Sequence, residues 1–222
     1  MPGSDGRRIG GAGGGSDKGR GGGGAVVVAG LVALGAVGAG GVGVTGGGAG
    51  GAGGAGARGV SARKAEGQQA ARKGDTEGAW QRMGMRGLRQ TAEQQAECVV
   101  SSFGRVREFF QGTRCASLDR VLFAVGDGAG NSAVVSVVWV GFAARGDAAD
   151  FKSLIDRHGS GDVTPLGGAL LGLADVSFSG LNYGSDRDGN TVVIAEAERI
   201  GGSVDAETLD ALAEVASYLP PP

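Results

Sequence analysis

The sequence predicts an α+β domain with an antiparallel sheet of about four strands, built from two units that each consist of a β-hairpin and a helix. Two pairs of short apolar runs flank glycine-containing turns, which is typical of β-hairpins. An amphipathic helical segment follows each pair. The two units also share a motif, because residues 130–135 (Gly-Asn-Ser-Ala-Val-Val) match residues 189–194 (Gly-Asn-Thr-Val-Val-Ile). A leading helix, a transmembrane helix and a Gly-rich stem are expected to precede these units.

The first unit is expected at residues 118–157. Its strands are the apolar runs 118–125 and 133–140, joined by the turn 126–131. Asp147 then caps a short helix that ends near Arg157. The second unit is expected to have strands at 176–183 and 190–199, a turn at 184–189 and a helix over 205–218.

A long helix over residues 78–110 is predicted to lead the domain, which spans 78–222. The prediction rests on Val99, Phe103, Val106 and Phe110, whose spacing places them on one helical face. Gly112 is expected to end the helix.

The N-terminal part differs sharply in composition. The chain contains 49 glycines among 222 residues, and they crowd into its beginning. Residues 1–24 are Gly-rich and predicted to be disordered. The next segment begins at Ala25 and ends at Val44 without a charged residue, and its twenty residues are long enough to span a membrane as a helix. The alternative is a signal-peptide core that is cleaved, which would release a secreted protein. Residues 45–77 are predicted to form a flexible stem.

The charge distribution predicts the orientation and restricts the partners. Four basic residues precede the apolar segment, and the first one after it is Arg58. The N-terminus is therefore expected in the cytoplasm and the domain outside, with the membrane as a partner through residues 25–44. Residues 91–222 contain nine basic and eighteen acidic residues, which argues against nucleic acid as a partner.

Cys98 and Cys115 are the only cysteines of the chain. An even pair in a domain outside the cytoplasm favours a structural disulfide, although an unbroken helix to Phe110 would leave little chain to close it. A break at Gly104 would ease this problem. The alternative is a pair of buried thiols.

The second strand of the first unit is apolar on both faces. Val134, Val138 and Val140 share one face, and Val135, Val137 and Trp139 share the other. An antiparallel strand with one wet face should alternate apolar and polar residues. The face with Val134, Val138 and Val140 is therefore expected to be covered by the leading helix, by an apolar ligand or by a second copy in a homodimer.

Few residues indicate catalysis. Glu196 and Glu198 alternate on one strand face, and His158 is the only histidine. The three could serve a secreted hydrolase, but they lack the sequence context of a nucleophile and its base. With a single histidine a zinc site is not expected, and no cofactor is predicted.

Residues 109–219 resemble single-pass membrane or secreted proteins of high-GC actinobacteria. The residues that carry the resemblance are Phe110-Gln111-Gly112, Cys115, Arg120-Val121-Leu122-Phe123, Val135-Ser136-Val137, Gly159-Ser160-Gly161-Asp162-Val163 and Ala195-Glu196-Ala197-Glu198. The resemblance covers about half of the chain and implies the localisation, but it brings no activity.

The sequence as a whole predicts a membrane-anchored module outside the cytoplasm, without enzymatic function, that acts by binding or assembly at the cell envelope. The alternatives are a secreted hydrolase that uses Glu196, Glu198 and His158, and a structural homodimer.

Overall fold

The computed structural model describes residues 27–30, 54–94, 96–173 and 176–222, and it gives no side-chain detail for residues 27–30 and 54–58. The strands are β1 (Val27–Gly30), β2 (Arg86–Glu93), β3 (Cys115–Gly126), β4 (Ser132–Phe142), β5 (Tyr183–Asp188) and β6 (Thr191–Gly201). The helices are α1 (Gly54–Ala71), α2 (Thr76–Arg82), α3 (Gly104–Gly112), α4 (Arg145–Ile155) and α5 (Ala206–Ala216), with a 3-10 helix at Gly168–Leu171.

The strands form one antiparallel sheet in the order β1-β2-β3-β4-β6-β5. Strands β4 and β6, which belong to different hairpins, pair with each other, with Val137 opposite Ala195. The predicted α+β class and the two hairpin-helix units are confirmed, as β3-β4-α4 and β5-β6-α5. The sheet is wider than the predicted four strands, because β2 pairs with β3 and β1 pairs with β2.

Helices α1, α2 and α5 cover one face of the sheet. Trp139 of β4 lies under them, and its indole Nε1 donates a hydrogen bond of 2.7 Å to the carbonyl of Leu219. Trp80 of α2 packs edge-on against Phe123 of β3, with ring centroids 5.5 Å apart. This core therefore joins the C-terminal end of the chain to the segments that precede β2.

The opposite face of the sheet is covered by α3, α4 and the long segment between α4 and β5. Val138 and Val140 pack in the core that α3 and α4 form, and Val134 packs against Leu166 and Leu171 of the long segment. All three valines are buried within the chain. Of the three covers considered for this strand, the structure shows the intramolecular one, and Val134, Val138 and Val140 therefore present no exposed face to a second copy.

The single long helix predicted over residues 78–110 is also wrong. Helix α2 ends at Arg82, and Gly84 then adopts a φ of 77° that terminates it. The chain continues into β2, whose polar sequence Arg-Gly-Leu-Arg-Gln-Thr-Ala-Glu lacks the alternation expected of a strand. Pairing with β3 selects the strand there, because backbone hydrogen bonds of the ladder do not depend on apolar side chains.

Part of the predicted flexible stem is helical. Residues 54–71 form α1, and α1 packs against α5. The Nζ atom of Lys64 forms an ion pair with Glu214 of α5, and Ala71 is fully buried. The folded domain therefore begins before the predicted boundary at residue 78, while residues 45–53 lie outside the described residues.

The strand predicted at 176–183 is displaced. The residues expected to form the turn, 184–188, are instead part of the edge strand β5, and the hairpin turn falls at Gly189 and Asn190. An edge strand tolerates the polar sequence Tyr-Gly-Ser-Asp-Arg-Asp because one side of its backbone faces away from the sheet. Gly184 is needed there, since a Cβ at this position would lie 2.6 Å from the carbonyl oxygen of Ala213 in α5.

Cys98 and Cys115 form the predicted disulfide, with Cα atoms 6.5 Å apart. The break in the predicted helix makes this geometry reachable, because α3 begins only at Gly104 and residues 98–101 form a turn beside β3.

Four residues of the apolar segment 25–44 are described, and they form β1 rather than a helix. Residues 25, 26 and 31–44, and the predicted disordered tail 1–24, lie outside the described residues. No helix in the described part of the chain is both long enough and apolar enough to cross a membrane.

Candidate functional site

A cleft lies between the long segment 156–182 and the sheet. We call it the loop cleft. Its volume is about 580 Å³. Its walls are formed by the first part of the segment (residues 156–167), by the last part (residues 176–180), and by Tyr183 of β5 and Glu196 of β6. This volume falls within the range of small-molecule sites in proteins, roughly 300–1,000 Å³.

The first part of the segment is fixed where its backbone crosses the backbone at the start of α3. Gly104 and Gly161 both have positive φ angles, and a Cβ on Gly161 would lie 2.2 Å from the carbonyl oxygen of Phe103. At this crossing the Arg105 amide donates to the Ser160 carbonyl at 2.8 Å. Only glycines allow this approach. The crossing sets the position of the next residue, Asp162, on the wall of the loop cleft.

Three side chains of the sheet tether the rest of the segment. Arg120 of β3 donates a hydrogen bond of 2.6 Å to the carbonyl of Thr164, and Arg89 of β2 donates one of 2.9 Å to the carbonyl of Leu171. Glu198 of β6 accepts hydrogen bonds from the amide and the hydroxyl of Ser179. The segment is therefore attached to the sheet on both sides of the loop cleft.

Glu196 is the residue that most sets this site apart. It lies on β6, between β4 and the edge strand β5, opposite Ser136 of β4, and it is only 7% exposed. Its side chain reaches the loop cleft, yet it makes no hydrogen bond or ion pair with any side chain or backbone group of the described residues. Burial and the neighbouring charges of Asp162 and Glu198 raise the pKa of Glu196 to about 7.

Asp162 supplies a second carboxyl group to the same wall. Its Oδ1 accepts a hydrogen bond of 2.6 Å from the amide of Val163. Burial raises the pKa of Asp162 to about 6, although this hydrogen bond acts in the opposite direction. Two carboxyl groups that hold their protons more tightly than usual therefore face one cavity.

The remaining walls are mostly apolar or aromatic. Ile155 and Leu166 are buried, Phe178 is half-buried, and Phe103 stands at the rim with about half of its surface exposed. The hydroxyl of Tyr183 donates a hydrogen bond of 3.1 Å to Asp156, which also lines the cleft. The arrangement combines apolar walls with three carboxyl groups, of which Asp156 is engaged by neighbouring side chains and Glu196 is not.

The residues of the hydrolase alternative are brought together only in part. His158 is exposed and lies on the rim of the loop cleft that also contains Glu196. Glu198 does not line the cleft, because it holds Ser179. No hydrogen bond joins any two of these three side chains within the residues that the structure describes.

A larger cavity of about 680 Å³ lies beside the disulfide. Its charged residues, Glu97 and Arg114, are exposed to solvent, and Cys98 is buried in the disulfide. Nothing comparable to the inward carboxyl group of Glu196 is found there among the described residues. The loop cleft is therefore the better candidate for a binding site.

Sequence reasoning singled out Glu196 but missed Asp162 and the loop cleft. The paired glycines around residues 159–161 were the available signal, since they mark a place where backbones approach closely. No family model, curated protein or solved structure matches the chain.

Proposed function

We propose that the protein is a membrane-anchored binding module outside the cytoplasm and that its ligand site is the loop cleft. The observation that carries this proposal is the side chain of Glu196, which is buried, faces the cleft and lacks a partner among the described residues. An isolated buried carboxyl group lowers the free energy of unfolding, so a protein that keeps one needs a reason other than stability. A ligand that pairs with it supplies such a reason.

The compartment is part of the same proposal. The disulfide between Cys98 and Cys115 favours an oxidising environment, and the apolar segment 25–44 supports an anchor or an export signal. Protease added to intact cells should degrade the domain while a cytoplasmic marker survives. Protection of the domain under these conditions would contradict the proposed orientation.

The hydrolase alternative receives support from one observation, the presence of His158 and Glu196 on the same cavity. The lack of a hydrogen bond between them in the described structure, and the separate role of Glu198, favour binding over catalysis. The homodimer alternative is not supported, because the valine face proposed for its interface is buried within the chain.

The binding proposal is tested with a variant that fills the cleft. Gly167 lines the loop cleft with a φ of −66°, and a Cβ built on it contacts no atom within 4 Å. Gly167→Trp should therefore be accepted by the fold and obstruct the cleft. Gly146→Trp is the matched control, because Gly146 is equally open but lies on the exposed surface of α4.

The measurement is affinity selection by mass spectrometry with the full chain and a library of small amines, alcohols, acids and short peptides. The proposal expects compounds that bind the wild-type protein and Gly146→Trp but not Gly167→Trp. If no compound binds, or if every binder is retained by Gly167→Trp, the loop cleft is not the ligand site.

A further inference from the structure

We propose that the loop cleft recognises an organic cation, namely a primary ammonium group on a short apolar chain, with the ammonium against Glu196 and the chain against the apolar walls. This inference rests on the proposed function, because it names the ligand class of the same cleft.

The argument for a cation starts from Glu196. An ionised carboxylate can only accept hydrogen bonds, and its two oxygens offer about four acceptor sites. None of these sites is filled by a described residue, although only 7% of the surface of Glu196 is exposed. A ligand with several N–H donors and a positive charge satisfies such a group more fully than a neutral ligand does.

The charged groups around Glu196 also favour a positively charged ligand. Asp162 faces the cleft from the segment, and Glu198 lies two residues along β6. Asp156 is already engaged by Lys152, Tyr183 and Ser185. Two cationic or titratable groups, Arg157 and His158, stand on the exposed rim. Neither of them forms an ion pair with Glu196 within the described residues, so the negative charge inside the cleft is not neutralised by the protein.

The shape of the site favours an organic cation over a metal ion. The described residues contain no group of three or more His, Cys, Asp or Glu side chains placed to hold a metal ion. The cleft is also far larger than a metal ion needs, and it is lined by Ile155, Leu166 and Phe178. Apolar walls beside a carboxyl group match an alkyl chain that ends in an ammonium group, and a nearby aromatic ring adds attraction for the cation.

The test is isothermal titration of the full chain at pH 8 with n-hexylammonium, 1-hexanol and hexanoate, which share one chain and differ in the head group. Hexylammonium should bind at least about tenfold more tightly than hexanol, and hexanoate should bind most weakly. Glu196→Gln should remove the preference for hexylammonium, while Glu108→Gln, an exposed position on α3, should retain it.

The pH dependence gives a second readout. Hexylammonium should bind on the order of tenfold more weakly at pH 5.5 than at pH 8, because Glu196 is then protonated, whereas the affinity for hexanol should stay constant. Asp162 titrates in the same range and contributes in the same direction.

The results separate this inference from the proposed function. If hexanol binds as tightly as hexylammonium and Gly167→Trp blocks both, the cation inference is overturned while the loop cleft remains a binding site. If hexylammonium binds equally to wild type and Glu196→Gln, the inference is also overturned.

A further titration with N-acetyl-lysine-N-methylamide distinguishes the source of the ammonium group. Binding of this compound indicates a lysine side chain of a peptide, and binding of hexylammonium alone indicates a free amine. Both results agree with the proposed ligand class.

Discussion

At the scale of the residue, Glu196 occupies a strand position that packing alone would fill with an apolar side chain. Its neighbours on the same strand, Ile194 and Ala195, are buried like it. Burial disfavours the ionised form and raises the pKa of Glu196 to about 7. The folded state therefore binds a proton that the unfolded chain, with an ordinary carboxyl pKa of 4.5, has already released at intermediate pH.

This difference makes the stability fall as the pH rises. Below pH 4.5 both states are protonated, and between pH 4.5 and about 7 only the folded state holds the proton. The free energy of unfolding thus decreases over this window, by about 3 kcal/mol for a group with this shift. Asp162 acts in the same direction as the pH rises to about 6.

The first prediction is that Glu196→Gln stabilises the protein at pH 8 by roughly 2–3 kcal/mol and has little effect at pH 4.5, since it removes only the cost of the buried charge. Urea unfolding of the full chain at both pH values measures this. Glu108→Gln is the control and should change little at either pH. A Glu196→Gln protein that is less stable than wild type at pH 8 would contradict the account of Glu196 as an unpartnered buried charge.

At the scale of the element, the segment between β2 and α3 depends on a covalent link. The disulfide between Cys98 and Cys115 holds the turn at residues 98–101 beside the start of β3, and the two cysteines are 17 positions apart. The same region carries Phe103 and Gly104, whose crossing with Gly161 sets one wall of the loop cleft.

The second prediction is that Cys98→Ala/Cys115→Ala lowers the free energy of unfolding by about 3 kcal/mol, because a loop of this length is no longer closed in the unfolded chain. Reduction of the wild-type protein should produce the same loss in urea unfolding. The double variant should not respond to reductant. Equal stability of the oxidised and reduced wild-type protein would show that the disulfide contributes nothing to the fold.

At the scale of the whole molecule, the sequence predicted what depends on local pattern. The turn expected at residues 126–131 and the helix expected over 205–218 are local signals, and the structure confirms the first hairpin and helix α5. The cap expected at Asp147 is wrong, because Ala144 is the N-cap residue of α4. The Asp205 carboxylate accepts a hydrogen bond of 2.8 Å from the amide of Thr208, as expected of a helix cap.

The elements that were missed are selected by partners distant in the sequence. Strand β2 is polar and becomes a strand only by pairing with β3, and β5 is a polar edge strand that fits under α5 through Gly184. The loop cleft has the same origin. Glu196 was visible as an acidic residue on a strand, but the burial that makes it unusual comes from the segment folded over it, including Asp162 and Phe178.

The central claim is that the carboxyl group of Glu196 has no partner in the free protein and binds a cationic ligand. The titration of Glu196 tests this claim most directly. In full-length protein labelled with ¹³C at the glutamate carboxyl carbons, Glu196→Gln identifies the Glu196 signal. We expect a midpoint at about pH 7 in the free protein and a midpoint about one pH unit lower with saturating n-hexylammonium, because the ammonium stabilises the ionised form. A midpoint at the ordinary value of 4.5 in the free protein, or a midpoint that hexylammonium does not move, would contradict the claim.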